Sequence, residues 1–133
     1  MVTPYIVFSK QCEEAMNFYE KVFDGQNKKI MRYNDYVPDG IKEDVSNYVL
    51  HGTMDFYDTQ FTFADEFSRP VTPGSMVYLT INPSSLDEGT KIYYELKENG
   101  EVLLPATETF YSPLHATVKD KFGIIWNIIV INT

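Results

Sequence analysis

The chain has 133 residues, of which 44% are hydrophobic and 23% charged, a mix typical of a globular protein long enough to bury its own core. Its 11 basic and 19 acidic residues give a net charge of −8 without a basic cluster for phosphate groups, so we expect no nucleic-acid partner. A single cysteine, an N-terminus without a signal-peptide pattern and apolar runs too short to span a bilayer predict a cytoplasmic protein with no membrane partner.

The first half of the chain predicts one strand, one helix and three further strands. Apolar residues recur at helical spacing between Lys10 and Phe23, which indicates a helix with one buried stripe. Asp24-Gly25 ends this helix, and we expect Gly25 to adopt the left-handed conformation that glycine favours there. Alternating apolar residues predict strands at residues 3–8, 28–33, 47–56 and 60–65.

The second half repeats this order of elements. Its helix begins at Ser85, where Glu88 completes a capping-box pattern, and ends at Asn99-Gly100. Residues 66–74, which contain two prolines, join the halves. The strands are predicted at residues 75–81, 101–104, 114–119 and 124–131. We therefore expect an α+β protein with one domain, residues 1–133, made of two βαβββ modules at about 1–67 and 75–133.

Two short motifs occur once in each half and indicate an internal repeat. Phe18-Tyr19-Glu20 in the first helix matches Tyr93-Tyr94-Glu95 in the second, 75 residues later. His51-Gly52-Thr53 matches His115-Ala116-Thr117, 64 residues later. The offsets differ because the loops of the two halves differ in length.

Three stretches of the sequence resemble the PhnB-like branch of the glyoxalase/bleomycin-resistance, or vicinal oxygen chelate, superfamily. They are residues 4–8 (PYIVF) with the first helix, His51-Gly52 ahead of residues 61–65 (FTFAD), and residues 120–126 (DKFGIIW). The resemblance implies a cupped mixed sheet with helices on its outer face, a ligand in the cup, and a homodimer. Members of this branch are often described as ubiquinone methyltransferases, but the sequence has no glycine-rich loop after a strand and no long parallel-sheet pattern for a methyl donor.

The resemblance also leads to a prediction about metal. Metal-using members of the superfamily take one histidine or carboxylate from each of four strand positions, two per half. At these positions the chain has Thr3 or Pro4, then Thr62, then one of residues 75–77 (SMV), and Asn127. None of these is a normal ligand for a divalent metal, so we expect no metal and no cofactor at this site.

The strand at residues 47–56 predicts which side chains face a ligand. Alternation places Tyr48, Leu50, Met54 and Phe56 toward the helix, and Val49, His51, Thr53 and Asp55 on the other face. A turn at Asp58-Thr59 would bring Asp55 opposite Thr62. In the second half, His115, Thr117 and Lys119 alternate with Leu114, Ala116 and Val118 in the same way. The two histidines are therefore predicted on equivalent faces, which in the superfamily line the cup.

Three functions fit this arrangement. The first is metal-independent binding of a small molecule in the cup, by the residues His51, Thr53, Asp55, Thr62, His115 and Asn127. Aromatic walls could come from Tyr5, Phe8, Tyr33, Tyr36, Phe110 and Tyr111. The second is a lyase or isomerase in which His51 or His115 is the general base and Arg32, Arg69 or Lys119 stabilises a developing negative charge. The third is a regulatory or interaction protein with a vestigial pocket.

Overall fold

The computed structural model describes residues 1–131, which form eight strands and two helices. The elements are β1 Tyr5–Phe8, α1 Cys12–Phe23, β2 Gln26–Arg32, β3 Val49–Phe56, β4 Thr59–Asp65, β5 Tyr78–Ile81, α2 Leu86–Lys97, β6 Glu101–Thr107, β7 His115–Lys119 and β8 Ile125–Ile129. Every predicted element is present, with each end within three residues of its predicted position. Among the described residues, neither helix is long and apolar enough to cross a membrane.

The chain divides into two units, Met1–Thr72 and Pro73–Thr133, and each contains one four-stranded sheet and one helix. The strand order is β1-β4-β3-β2 in the first sheet and β5-β8-β7-β6 in the second. In each sheet the first strand runs parallel to the last strand of the unit, and the other pairs are antiparallel. The α+β class and the repeated βαβββ order are therefore confirmed.

In unit 1, helix α1 covers one face of the sheet. Tyr19 of the helix is fully buried and its ring lies 6.2 Å from that of Phe63 in β4. Met54 pairs with Phe61 on the same side. Successive strand residues point to opposite faces, so Thr53 and Thr62, which also pair, face away from the helix. We call this side, which carries Tyr5, His51, Thr53, Asp55 and Thr62, the helix-free face of unit 1.

In unit 2, helix α2 covers the sheet in the same way. The buried helix residues are Gly89, Ile92, Tyr93 and Leu96. On the sheet, Ala116, Val118, Trp126 and Ile128 are all fully buried, and each such residue contributes roughly 1–3 kcal/mol of burial free energy. The intervening positions form the helix-free face of unit 2, which carries Thr80, His115, Thr117 and Asn127.

The helix repeat is shifted by one residue from its predicted offset. Tyr19 is buried, and so is Tyr93, whereas Tyr94 is 58% exposed. Buried positions of the two helices correspond at a spacing of 74 residues, as in Ala15 and Gly89. The aromatic–aromatic–Glu motif gave a spacing of 75 because it aligns Tyr19 with Tyr94, which follows the buried Tyr93 by one residue.

The prediction for the end of α1 is wrong in its choice of residue. Asp24, not Gly25, adopts the left-handed conformation, with φ 54° and ψ 52°. Gly25 is needed for another reason, since a Cβ there would lie 2.5 Å from the sulfur of Met54. Aspartate tolerates the left-handed region better than most residues, which leaves glycine free for the close contact.

The predicted alternation in β3 is wrong at its start because of a β-bulge. Arg32 pairs with Val49 and Met31 pairs with His51, so Leu50 is an extra residue in this strand. As a result Val49 is fully buried and Leu50 is only half-buried, the reverse of the predicted order. His51, Thr53 and Asp55 lie beyond the bulge and keep the predicted face.

The turn after β3 also differs from the prediction. Tyr57 and Asp58 form the two-residue loop, and both have positive φ, 49° and 57°. Positive φ at both central positions is characteristic of the type I′ hairpin turn, whose twist matches that of the strands. Asp55 therefore pairs with Gln60, and Thr53 takes the place opposite Thr62.

Candidate functional site

A buried aspartate fixes the hairpin that positions the site in unit 2. One carboxylate oxygen of Asp120 accepts hydrogen bonds from the N–H groups of Phe122 and Ile124, at 2.9 and 3.1 Å. The other accepts one from the indole N–H of Trp126 at 2.8 Å. Gly123 completes the turn with φ 97°, as its sequence context predicted. This turn sets the register of β7 and β8 and so brings Thr117 opposite Asn127.

Three polar side chains form a row across the helix-free face of unit 2. The Thr117 hydroxyl donates to Asn127 Oδ1 at 2.7 Å. On the opposite side, Asn127 Nδ2 donates to Thr80 Oγ1 at 3.4 Å. Thr80 pairs with Asn127 in the parallel β5–β8 ladder. Sequence reasoning missed Thr80, because it considered residues 75–77 and these precede β5; the parallel pairing alone would have identified it.

Unit 1 has an equivalent row with different chemistry. Thr62 lies between Thr53 on one side and Tyr5 on the other, and it is 7% exposed. The imidazole of His51 is exposed, and its centroid lies 6.3 Å from that of the Tyr5 ring. The structure thus brings four of the residues quoted for this face close together: Tyr5, His51, Thr53 and Thr62.

Asp55 stands apart from this group. It pairs with Gln60 near the hairpin end of the sheet, and its carboxylate accepts a hydrogen bond from the Asn27 side chain at 3.0 Å. Three residue pairs of the β3–β4 ladder, those of Gly52, Thr53 and Met54, therefore separate Asp55 from His51. Its predicted place beside Thr62 is wrong because the turn is one residue earlier than expected.

His115 is held by a neighbouring loop. Its Nδ1 forms a hydrogen bond with the Tyr111 hydroxyl at 2.5 Å, and the two rings meet edge to face. Its Nε2 is buried and has no hydrogen-bond partner among residues 1–131. His115 therefore differs from His51, whose side chain is open to solvent. The role of Tyr111 as the partner of His115 was not predicted, although the residue was expected near the site.

Comparison with known proteins places these features in a family. Residues 1–129 match the family model described as 3-demethylubiquinone-9 3-methyltransferase. The chain belongs to this family. The PhnB protein from Bacillus cereus, which shares that description, is 26% identical with a TM-score of 0.73, over 97% of this chain and 98% of that one.

Two further structures are similar to this member of the 3-demethylubiquinone-9 3-methyltransferase family. Protein PA1353 from Pseudomonas aeruginosa is 20% identical with a TM-score of 0.85, over 100% of this chain and 98% of that one. A glyoxalase/bleomycin resistance protein/dioxygenase family enzyme from Burkholderia phytofirmans is 16% identical with a TM-score of 0.63, over 96% and 97% of the two chains. The resemblance to the PhnB-like branch and the glyoxalase/bleomycin-resistance fold are confirmed.

The residues at the superfamily's metal positions do not fit a metal ion. Thr62 and Asn127 occupy the central positions of the two rows, and the parallel registers place Tyr5 and Thr80 opposite them, where the sequence had predicted Thr3 or Pro4 and residues 75–77. The hydroxyl and amide groups of these residues are poor ligands for zinc and for the transition metals. Within the part of the chain that the structure describes, no three His, Cys, Asp or Glu side chains form a group that could hold a metal.

Most of the perturbed charged groups serve the scaffold. Asp65 is 2% exposed and accepts hydrogen bonds from the N–H groups of Cys12 and Val49, both at 3.0 Å. Burial raises the pKa of Asp65 and also that of the Cys12 thiol, which therefore stays protonated and unreactive. Arg32 forms a bidentate pair with Glu13, at 3.0 and 2.9 Å, and its hydrogen bond is the main reason that the pKa of Glu13 is lowered. That guanidinium group is already paired and is a poor choice for stabilising a reaction intermediate.

Proposed function

We propose that this chain binds an organic small molecule on the helix-free face of a unit, and that binding needs no metal ion. The supporting observation is the chemistry of the two rows. Where metal-using members of the superfamily have ligands, this chain has Thr62 and Asn127, each flanked by a threonine. These side chains donate and accept hydrogen bonds without carrying charge, as suits direct contact with an organic ligand.

Aromatic rings on the same faces favour a flat ligand. Tyr5 is 57% exposed beside His51. Tyr78, two residues before Thr80 on β5 and so on the same face, is 47% exposed. Exposed aromatic faces bind planar rings and cations, and the net charge of −8 favours cations further. We therefore expect planar aromatic compounds, including cationic ones, among the ligands.

A thermal-stability screen tests this function. The protein is dialysed against a chelator and heated with a panel of planar aromatic and cationic compounds. A ligand present at 100 times its Kd stabilises the folded state by about 2.7 kcal/mol, which raises the Tm of a domain of this size by several degrees. Tyr5→Ala should weaken the response. Tyr94→Ala is the matched control, because Tyr94 is equally exposed but lies on helix α2.

One outcome of the thermal screen would contradict metal-independent binding. If no compound raises the Tm of the chelator-treated protein, and the same compounds do so after zinc, nickel, iron or manganese is added, then binding depends on metal. That outcome would overturn the proposed function.

Methyl transfer, which the family's description names, is not the activity that these residues support best. A doubly wound nucleotide site requires a run of parallel strands with a glycine-rich turn at the switch point. Here each four-stranded sheet contains one parallel pair, β1–β4 or β5–β8, and two antiparallel ones.

Proton transfer at His51 is a second candidate function. Its imidazole is exposed on the helix-free face beside Tyr5, whereas the Nε2 of His115 is buried and its Nδ1 is bonded to Tyr111. A substrate can therefore reach His51 more easily, and histidine suits a general base near neutral pH.

Deuterium exchange provides the test for this second function. Carbonyl compounds are incubated with the protein in D₂O, and exchange at the adjacent carbon is followed by NMR. Exchange that His51→Ala abolishes and His115→Ala leaves intact would support the assignment. Exchange that survives the double substitution would exclude both histidines as the base.

A further inference from the structure

The row across unit 2 also indicates which ligand chemistry it selects. We infer that Asn127 presents the free edge of its amide to the ligand and so selects compounds with a hydrogen-bond donor and acceptor side by side, such as carboxamides, lactams and imides. This inference rests on the proposed function and assigns it a ligand class.

The two threonines hold the Asn127 side chain from opposite sides. Thr117, on β7, donates to Oδ1 at 2.7 Å, and Thr80, on β5, accepts from Nδ2 at 3.4 Å. Because β8 lies between β5 and β7 in the sheet, these two bonds run in opposite directions across it. They hold the amide plane across the sheet, with its oxygen toward Thr117 and its nitrogen toward Thr80.

The two threonines leave half of the hydrogen-bonding capacity of the Asn127 amide unused. Thr117 bonds to Oδ1 and Thr80 bonds to Nδ2. A carboxamide oxygen accepts through two lone pairs, and its nitrogen donates through two N–H groups. In the planar amide, one lone pair and one N–H point sideways toward the neighbouring strands, while the others point together along the Cβ–Cγ direction. With the sideways pair bonded to Thr117 and Thr80, the remaining donor and acceptor face away from the sheet as one edge.

The surroundings of this edge increase its selectivity. Ile125 and Ile129 lie two residues to either side of Asn127 on the same face, and Ile125 is 3% exposed. Thr117 is also buried, with 6% of its surface exposed. Thr80, on the other side of Asn127, is exposed, so burial acts mainly on the Thr117 side. There a bound ligand that leaves the donor or the acceptor unpaired loses binding.

A matched pair of compounds tests the inference on the unaltered protein. 2-Pyridone carries adjacent N–H and C=O groups on a flat ring, and 1-methyl-2-pyridone lacks only the donor. Binding is followed by ¹H–¹⁵N NMR of the side-chain amide groups, with the Asn127 signals assigned from their loss in Asn127→Asp. We expect 2-pyridone to shift the Asn127 signals and to bind roughly tenfold more tightly than its methylated form.

Two substitutions complete the experiment. Asn127→Asp keeps the shape but removes both N–H donors, so it should weaken 2-pyridone binding by about tenfold or more. Asn47→Asp makes the same chemical change at an exposed loop position and should have no effect. The Tm of each variant is measured first to show that it folds, and the comparison of the two compounds on the wild-type protein does not depend on either variant.

The outcomes separate this inference from the function on which it rests. Equal affinity for the two pyridones, or binding that Asn127→Asp leaves unchanged, would overturn the amide selection while small-molecule binding stands. The same holds if neither pyridone binds but the thermal screen finds ligands without an adjacent donor and acceptor. If neither the pyridones nor the screen gives a ligand, the proposed function fails as well.

Discussion

Buried carboxylates in this protein organise the backbone. Asp65 joins the first residue of α1 to the start of β3 through the N–H groups of Cys12 and Val49, and it takes the place of a helix cap that Gln11 does not supply. Asp120 does the same for the β7–β8 hairpin and Trp126. A buried ionisable group is often a sign of a catalytic site, but here both groups are satisfied by N–H donors of the scaffold.

Replacing Asp65 should therefore reduce stability. In Asp65→Asn, the amide nitrogen would face a backbone N–H, and one buried donor would lose its partner. We expect the free energy of unfolding to fall by about 1–3 kcal/mol in urea denaturation at neutral pH. Asp58→Asn, in the exposed hairpin turn where asparagine is equally suitable, should change it by less than about 0.5 kcal/mol.

The raised pKa of Asp65 also predicts how the stability difference between the wild type and Asp65→Asn depends on pH. Burial raises the pKa of Asp65 above its ordinary value of 3.8, so the folded state binds this proton more tightly than the unfolded state. The contribution of the Asp65 carboxyl to stability is then complete below 3.8 and is lost as the pH rises through the folded pKa. The difference in free energy of unfolding between the wild type and Asp65→Asn should therefore become smaller as the pH rises above 3.8. A difference that becomes larger would contradict the raised pKa of Asp65.

At the scale of elements, periodicity predicted the helices and strands well, and long-range pairing decided the remaining details. Apolar spacing located α1 and α2, and the Ser85 hydroxyl does cap α2 by accepting from the Glu88 N–H. The bulge at Leu50 had no local signal, because it depends on the pairing with β2 and on the bond from Val49 N–H to Asp65.

The same limit applied to the candidate site. The face of unit 1 that carries His51 and Thr53 followed from alternation, and Thr62 in unit 1 and Asn127 in unit 2 followed from the family resemblance. Thr80 could be identified only from the parallel β5–β8 register, and the Tyr111–His115 bond only from the fold of the intervening loop. Contacts between distant residues were thus the part that the sequence could not supply.

Helix α2 contains a glycine that packing requires. A Cβ at Gly89 would lie 2.5 Å from Cγ2 of Val130, which is 1% exposed. Gly89→Ala should destabilise the protein by about 1–3 kcal/mol through overpacking, although alanine is the better helix former. In a Val130→Ala background the same substitution should be neutral or stabilising, which a double-mutant cycle from thermal denaturation will show.

Gly74→Ala is the control for this cycle. Apart from its own neighbours in the chain, no atom of the described residues lies within 4 Å of a Cβ built at Gly74, so the change should have little effect on stability. Equal destabilisation by Gly89→Ala in both backgrounds would mean that the contact with Val130 is not the cause.

At the scale of the whole molecule, the two units share one order of elements, but their helix-free faces differ in chemistry. Unit 1 offers an exposed imidazole and an aromatic ring, His51 and Tyr5, and unit 2 offers the amide of Asn127 between two hydroxyl groups. The two rows therefore differ in chemistry although both units have the βαβββ order.

Assembly into a homodimer is a further prediction at this scale, based on the family resemblance. Light scattering coupled to size-exclusion chromatography should give a mass of twice 15.4 kDa at micromolar concentration. A mass of 15.4 kDa over the whole accessible concentration range would contradict it.

Metal content tests the central claim most directly, because Thr62 and Asn127 stand at positions that the family resemblance assigns to metal ligands. The protein is purified without chelators or a metal-affinity tag, and zinc, nickel, iron and manganese are measured by elemental analysis before and after dialysis against each metal. We predict a ratio near zero per chain that dialysis does not change. A ratio near one would contradict metal-independent binding and would make His51 and His115 the first residues to test as ligands.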